Sequence, residues 1–262
     1  MSQAVILRQH LARVEQLRQE ERSPAVQCAW QVVRRVQVQR FRATYADFLS
    51  NGRHAPAAQF FLSELYGQHD YSQRDAQFGR IAGAIERLFP HHVMRLAVQI
   101  AQVHALTETM DWAMATAWAS SAHAPPLLAA QSTPHRPLAA SALAAGYIDA
   151  WRTVQRYDDR QRQLEAVLAL GEQLTRVVRI AGLRTALKLM RRPAQTAGLS
   201  ALQAVLEQGF DAFAAMGNTS AFLTGITDRE THWLATLHHD TPFATAAQRL
   251  EVALRAVVPA MD

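Results

Sequence analysis

The sequence predicts an all-α protein, a multi-helix globular bundle of roughly ten helices with no sheet. Three observations predict it. Apolar residues recur every three or four positions along most of the chain, and Ser-Pro and Thr-Pro pairs stand where helices would start. No alternating run bounded by turns, the mark of a half-buried strand, occurs anywhere. At 262 residues and 49% apolar the chain is long enough to bury a substantial core. Charged residues make up only 19%, and aromatics are spread along the whole length, so global disorder is excluded.

Taken in order, residues 3–22 set Leu7, Leu11, Val14 and Leu17 on one face. Ser23-Pro24 then opens a helix expected to run to Ser50, with Val26, Trp30, Val33, Phe41, Tyr45 and Phe48 at helical spacing. Arg34, Arg35 and Arg42 gather on its other side and read as a solvated face. After the turn Asn51-Gly52-Arg53-His54 comes a short, very apolar helix from Pro56 to Gly67, PAAQFFLSELYG. On a wheel, Phe61, Leu62, Leu65 and Tyr66 cover one side and Phe60 points away from them, so neighbours should enclose it. A helix from Ser72 to Phe89-Pro90 follows, then a long one over 91–120.

Residues 122–137 hold four prolines and little periodicity. The chain therefore reads as one all-helical domain over 1–262, with a subdivision into 1–121 and 138–262 as the alternative. Further helices are expected over 138–157, 159–190 (with a break near Gly182), 200–216, 219–239 and 242–257. Gly171 and Gly182 fall on the inward side of the second of these, where they would allow close helix contact.

Composition narrows the function classes. The net charge is +5, yet of 27 basic residues only Lys188 is lysine, and no basic block exceeds Arg34-Arg35 or Arg191-Arg192. Scattered charge of this kind disfavours nucleic-acid binding, which needs a stripe. No secretory signal and no apolar window of ~20 residues is visible, so a cytoplasmic protein that does not cross a membrane is expected. The single cysteine, Cys28, makes no internal disulfide.

The informative residues are polar ones lying on apolar stripes, because a buried charge needs a partner or a shifted pKa. In helix 91–120, His104 and Asp111 share the apolar side and Glu108 lies at its edge; their spacing of four and three lets them meet. Glu230 lies inside the stripe Phe222, Leu223, Ile226, Trp233, Leu237. Glu64 projects between Phe60 and Phe61, and Arg74 stands beside the apolar residues of its own helix. Two readings compete for Glu64, Arg74, His104, Glu108, Asp111 and Glu230. One is a structural network, such as Glu64 or Glu230 paired to Arg74 or Arg229; the other is a ligand or metal pocket. No Glu-x-x-His pair occurs, which removes the di-iron bundle arrangement. Neither does any GxGxxG, P-loop, HExxH, GxSxG or CxxC, so no catalytic residue, resident metal or cofactor is assigned.

The run Phe60-Phe61-Leu62-Ser63-Glu64-Leu65-Tyr66, followed by Gly67 and Arg74-Asp75-Ala76, resembles the uncharacterised bacterial FFLEELY-motif proteins. Ser63 stands where the motif has Glu, at a position expected to face outward. The resemblance implies no activity. The expectation is a non-enzymatic protein-interaction or regulatory module that binds a protein partner or a second copy of itself. The alternatives are a small-molecule or metal-binding helical protein, and nucleic-acid binding through arginine faces.

Overall fold

The computed structural model describes residues 1–67, 71–88, 91–124 and 139–256, and among them there are 13 helices and no strand. In chain order these are α1 (Gln3–Gln19), α2 (Pro24–Thr44), α3 (Ala46–Ser50), α4 (Ala55–Tyr66), α5 (Ser72–Leu88) and α6 (His91–Ala119). After them come α7 (Ala140–Val154), α8 (Tyr157–Val177), α9 (Leu183–Leu189), α10 (Arg191–Thr196), α11 (Ser200–Met216), α12 (Ser220–Leu237) and α13 (Phe243–Ala256). The all-α expectation holds.

Local chemistry sets the helix starts. The Ser2 side chain accepts from the amide of Val5, and Ser23 accepts from Val26 with Pro24 at the first helical position. The Glu86 carboxylate of α5 takes the amides of Gln3 and Ala4 at 2.8 and 3.3 Å, placing negative charge at the positive end of α1. The expected helix 24–50 is two helices, because the backbone leaves the helical region at Tyr45 (φ −116°, ψ 25°). The expected 159–190 helix breaks after Val177 at Gly182, whose φ of +79° only glycine adopts freely. Gly182 therefore makes a break and no close contact. Gly171 does lie tight against a neighbour, since a β-carbon there would stand 2.6 Å from Leu223.

The 29-residue α6 is the axis. It packs on α1, α2, α5, α7 and α8, because its apolar positions wrap too far round for one neighbour to cover. The largest core mixes side chains from before and after the proline-rich segment: Val33, Val36 and Trp118 with Tyr147, Ile148 and Leu250. Residues 125–137 of that segment, and Phe89-Pro90, lie outside the described residues. In the same core Trp30 of α2 stacks on Trp112 of α6, centroids 4.9 Å apart and planes 13° from parallel. The guanidinium of Arg22 lies 3.9 Å over Trp112 and that of Arg34 lies 4.7 Å over Trp30.

The apolar helix α4 is enclosed on two sides. Phe61 packs edge-on against Phe213 and stacks on Phe222, while Phe60 lies against Gly209 of α11. Ser63 is half-buried, its hydroxyl turned back on the Phe60 carbonyl at 3.1 Å.

Candidate functional site

Two rows of polar residues cross this interior. The first centres on Asp75 of α5. Arg18 of α1 donates to its carboxylate at 2.6 Å, Arg74 at 3.0 Å and His104 of α6 at 2.9 Å. Arg74 also holds Glu64 of α4 at 2.7 Å. Burial opposes ionisation of Asp75, but the His104 hydrogen bond and charge, with Arg74 and Arg18, outweigh it and hold its pKa at about 2. Asp75 thus gathers Arg18, Arg74 and His104, and Arg74 ties Glu64 to the same cluster.

The second row runs along α2. Arg34 donates to Glu108 at 3.0 Å and to the Gly67 carbonyl, and Gln37 donates to Asp111 at 2.8 Å. Arg40 grips Glu230 of α12 with both nitrogens, at 3.0 and 2.9 Å, and the Tyr45 hydroxyl donates to the same carboxylate at 2.8 Å. Arg34 is therefore no part of a solvated face; it is buried, whereas Arg35 and Arg42 are exposed. Glu230 pairs with Arg40, and Arg229 turns outward to Asp47 at 2.6 Å. His104, Glu108 and Asp111 do not meet each other. His104 takes its partner from α5, while Glu108 and Asp111 take theirs from successive turns of α2.

Of the six expected site residues, Glu230 lines a cavity. That cavity, about 90 Å³, is bounded by Gln37, Arg40 and Tyr45, by Thr107 of α6, by Tyr147 and Trp151 of α7, and by Arg160 and Gln163 of α8. Phe41, Phe61, Val103, Leu164, Val167 and Ile226 supply its apolar wall. Arg160 is the residue the sequence reading missed. It is 9% exposed, and its guanidinium reaches only neutral acceptors, Met114 Sδ at 3.0 Å and Gln163 Oε1 at 3.4 Å, over the Trp151 ring at 4.5 Å. The signal was present: Arg160 heads the stripe Leu164, Val167, Gly171, Leu174, so helical spacing already pointed it inward. Nearby Asp111 is 1% exposed; burial raises its pKa, against the lowering pull of Arg160 and Arg34 and the Gln37 hydrogen bond.

Among the described residues no group of three or more His, Cys, Asp or Glu is placed to hold a metal ion. Asp75, Glu64, Glu108 and Glu230 are taken up by guanidinium groups instead, and Asp111 by the Gln37 amide. What the arrangement offers is a small, half-apolar chamber with fixed donors at one side.

Residues 16–244 match the family described as a domain of unknown function, DUF8198. The chain belongs to that family. No curated protein and no solved structure matches it. Every residue of both polar rows and of the cavity, from Arg18 to Leu237, lies within the matched DUF8198 span. The likeness of Phe60–Tyr66 to the FFLEELY motif stands beside that membership as a resemblance of seven residues.

Proposed function

We propose that this DUF8198 protein binds a small organic molecule in the chamber walled by α2, α6, α7, α8 and α12. One observation carries the reading: a cavity of about 90 Å³ where the Arg40–Glu230–Tyr45 set and Arg160 face an otherwise apolar wall. Protein interiors rarely leave such space unfilled, and fixed polar groups on an apolar wall are how small-molecule sites set orientation. Of the six expected ligand residues, the proposal keeps Glu230 in the site and gives the others the task of holding the walls. The test is ligand-induced stabilisation, read by melting and by the fluorescence of Trp151 and Trp233, which line the chamber. A library of small acids, amines and neutral compounds should contain stabilisers whose effect disappears in Val167→Phe, which fills the space. If no compound shifts the melt and Val167→Phe leaves stability and fluorescence unchanged, the chamber is not a site.

A different observation supports the non-enzymatic interaction module as a second reading. From Gln173 to Leu206 there is no acidic residue, while Arg176, Arg179, Arg184, Lys188, Arg191 and Arg192 are all present. Beside them Leu189 is 73% and Met190 52% exposed. Arg176, Arg184 and Arg191 reach Glu172, Asp211 and Glu207, which leaves the basic residues of this segment in excess; exposed apolar side chains in such a setting suit an acidic protein partner. Retention of the protein on a polyglutamate column, lost in Leu189→Asp and Lys188→Glu, is the expected result; passage of the unaltered protein at low salt rules this reading out.

A further inference from the structure

Arg160 stands at the junction of two cavities. The inner one is the chamber described above; the outer one, about 210 Å³, shares Trp151, Arg160 and Leu237 with it and opens past Arg152, Arg156, Tyr157, His238 and His239. No carboxylate lines the outer cavity. Its cations are not equivalent, however. Arg152 is spent on the carbonyls of Leu237, His238 and Thr241, closing the end of α12. Arg156 is paired with Asp159, and His238 stands 3.1 Å from Asp240. Arg160 alone among them is buried, and it forms no ion pair among the described residues.

A buried guanidinium normally has a carboxylate within reach, because removing it from water is costly. Asp111 acts on Arg160 electrostatically, but it accepts its hydrogen bond from Gln37 and makes none to Arg160. Arg40, the other cation of the inner chamber, is matched by Glu230. The start of α8 at Tyr157, on the outer cavity wall, adds little to this field, because Asp158 and Asp159 stand in its first turn and offset its positive end. The two cavities therefore share one cation without an ion pair among the described residues, and beyond it lies an apolar wall interrupted by Glu230, which Arg40 holds.

We infer that the joined cavities take a small organic monocarboxylate, its carboxylate on the Arg160 guanidinium and its short apolar tail among Phe41, Phe61, Val103, Leu164, Val167 and Ile226. Arg160 offers planar paired donors that match a carboxylate. Trp151 beneath the guanidinium holds that plane in place. The inner chamber is far below the size of a drug-like pocket, so the tail is a few carbons long. This inference rests on the small-molecule reading above and specifies its ligand class.

The test compares n-butyrate with butyramide, which has the same shape without the charge, and with n-butylamine, by isothermal titration and Trp fluorescence on the full chain. Butyrate should bind at least about 10-fold more tightly than butyramide, the worth of a charge-assisted hydrogen bond, and butylamine should not bind. Arg160→Gln should erase the preference for butyrate and leave butyramide binding unchanged, while Lys188→Gln on the surface should leave both intact. If Arg160→Gln fails to fold, the butyrate-to-butyramide ratio on the unaltered protein still decides. Equal binding of butyrate and butyramide, or a preference that survives Arg160→Gln, overturns the carboxylate assignment and leaves the small-molecule reading standing. Absence of binding by all three probes overturns the assignment, whereas the small-molecule reading fails only if the wider library and Val167→Phe are silent too.

Discussion

Arg40 and Glu230, 190 positions apart in the chain, face each other fork to fork across the α2–α12 contact, with the Tyr45 hydroxyl closing the set. Side-chain exposures of 7% and 16% place both groups largely out of water. Such a pair is weak evidence for net stability but expensive to break from one side. Glu230→Leu should cost about 3–5 kcal/mol, because it leaves the Arg40 charge in place without that carboxylate. The double variant Arg40→Met/Glu230→Leu should recover most of the loss. A urea-denaturation double-mutant cycle measures the coupling; additive losses would mean the two side chains do not act as a pair.

Asp75 gives the fold an acid limit. Its pKa is lowered from 3.8 to about 2 in the folded protein, so the folded state holds the proton less tightly than the unfolded chain does. Ionised Asp75 therefore stabilises the fold above pH ~4, and the contribution drains away as pH falls from 3.8 towards about 2. At about 1.4 kcal/mol per pKa unit, it is worth about 2 kcal/mol. Asp75→Asn should be less stable than the unaltered protein at pH 7, and the gap should narrow by about that amount at pH 2. A gap independent of pH would show that Asp75 acts through packing alone.

The enclosure of α4 makes a prediction about Phe61. Phe61 is 6% exposed between Phe213 and Phe222. Phe61→Ala should cost about 3–5 kcal/mol, the lost burial plus the space left behind. A cost near zero in chemical denaturation would mean that this end of α4 is a surface element.

Close approach at Gly146 should be unforgiving. A β-carbon there would overlap the indole of Trp118, which is 1% exposed and fixed in the largest core. Helix propensity favours alanine over glycine by about 1 kcal/mol, yet Gly146→Ala should lose about 1–3 kcal/mol to overpacking. A stabilised variant would show that Trp118 has room to move.

How much of this was legible in the sequence follows from what periodicity can carry. The Ser23-Pro24 cap and the recurring Leu7, Leu11, Val14 and Leu17 located helices correctly, since caps and stripes are local properties. Glu64, Arg74, His104, Glu108, Asp111 and Glu230 stood out because they interrupt such stripes. Apart from Arg74, which was offered as a partner for Glu64 and holds it at 2.7 Å, their partners did not. Arg34, Gln37 and Arg40 lie three apart along α2, beside its apolar stripe; Arg34 was read as facing water, and Gln37 and Arg40 do not interrupt any stripe that would single them out. A helical wheel gives the angle of a side chain and says nothing about which neighbour covers it, and here α6 and α12 do. Pro56–Gly67 shows the same limit: hydrophobic density marks a buried helix, but the most extensive helix packing belongs to the longer α6.

The stacked pair of Trp30 and Trp112 has an optical consequence. Two indoles held 4.9 Å apart at 13° form a coupled chromophore, and their transition dipoles should exchange excitation and give a paired near-ultraviolet dichroism band that neither ring has alone. The band depends on α2 and α6 staying in register, so it would fade if the helices slid by even one turn. The fold carries its own gauge of that contact, readable in dilute solution without a label.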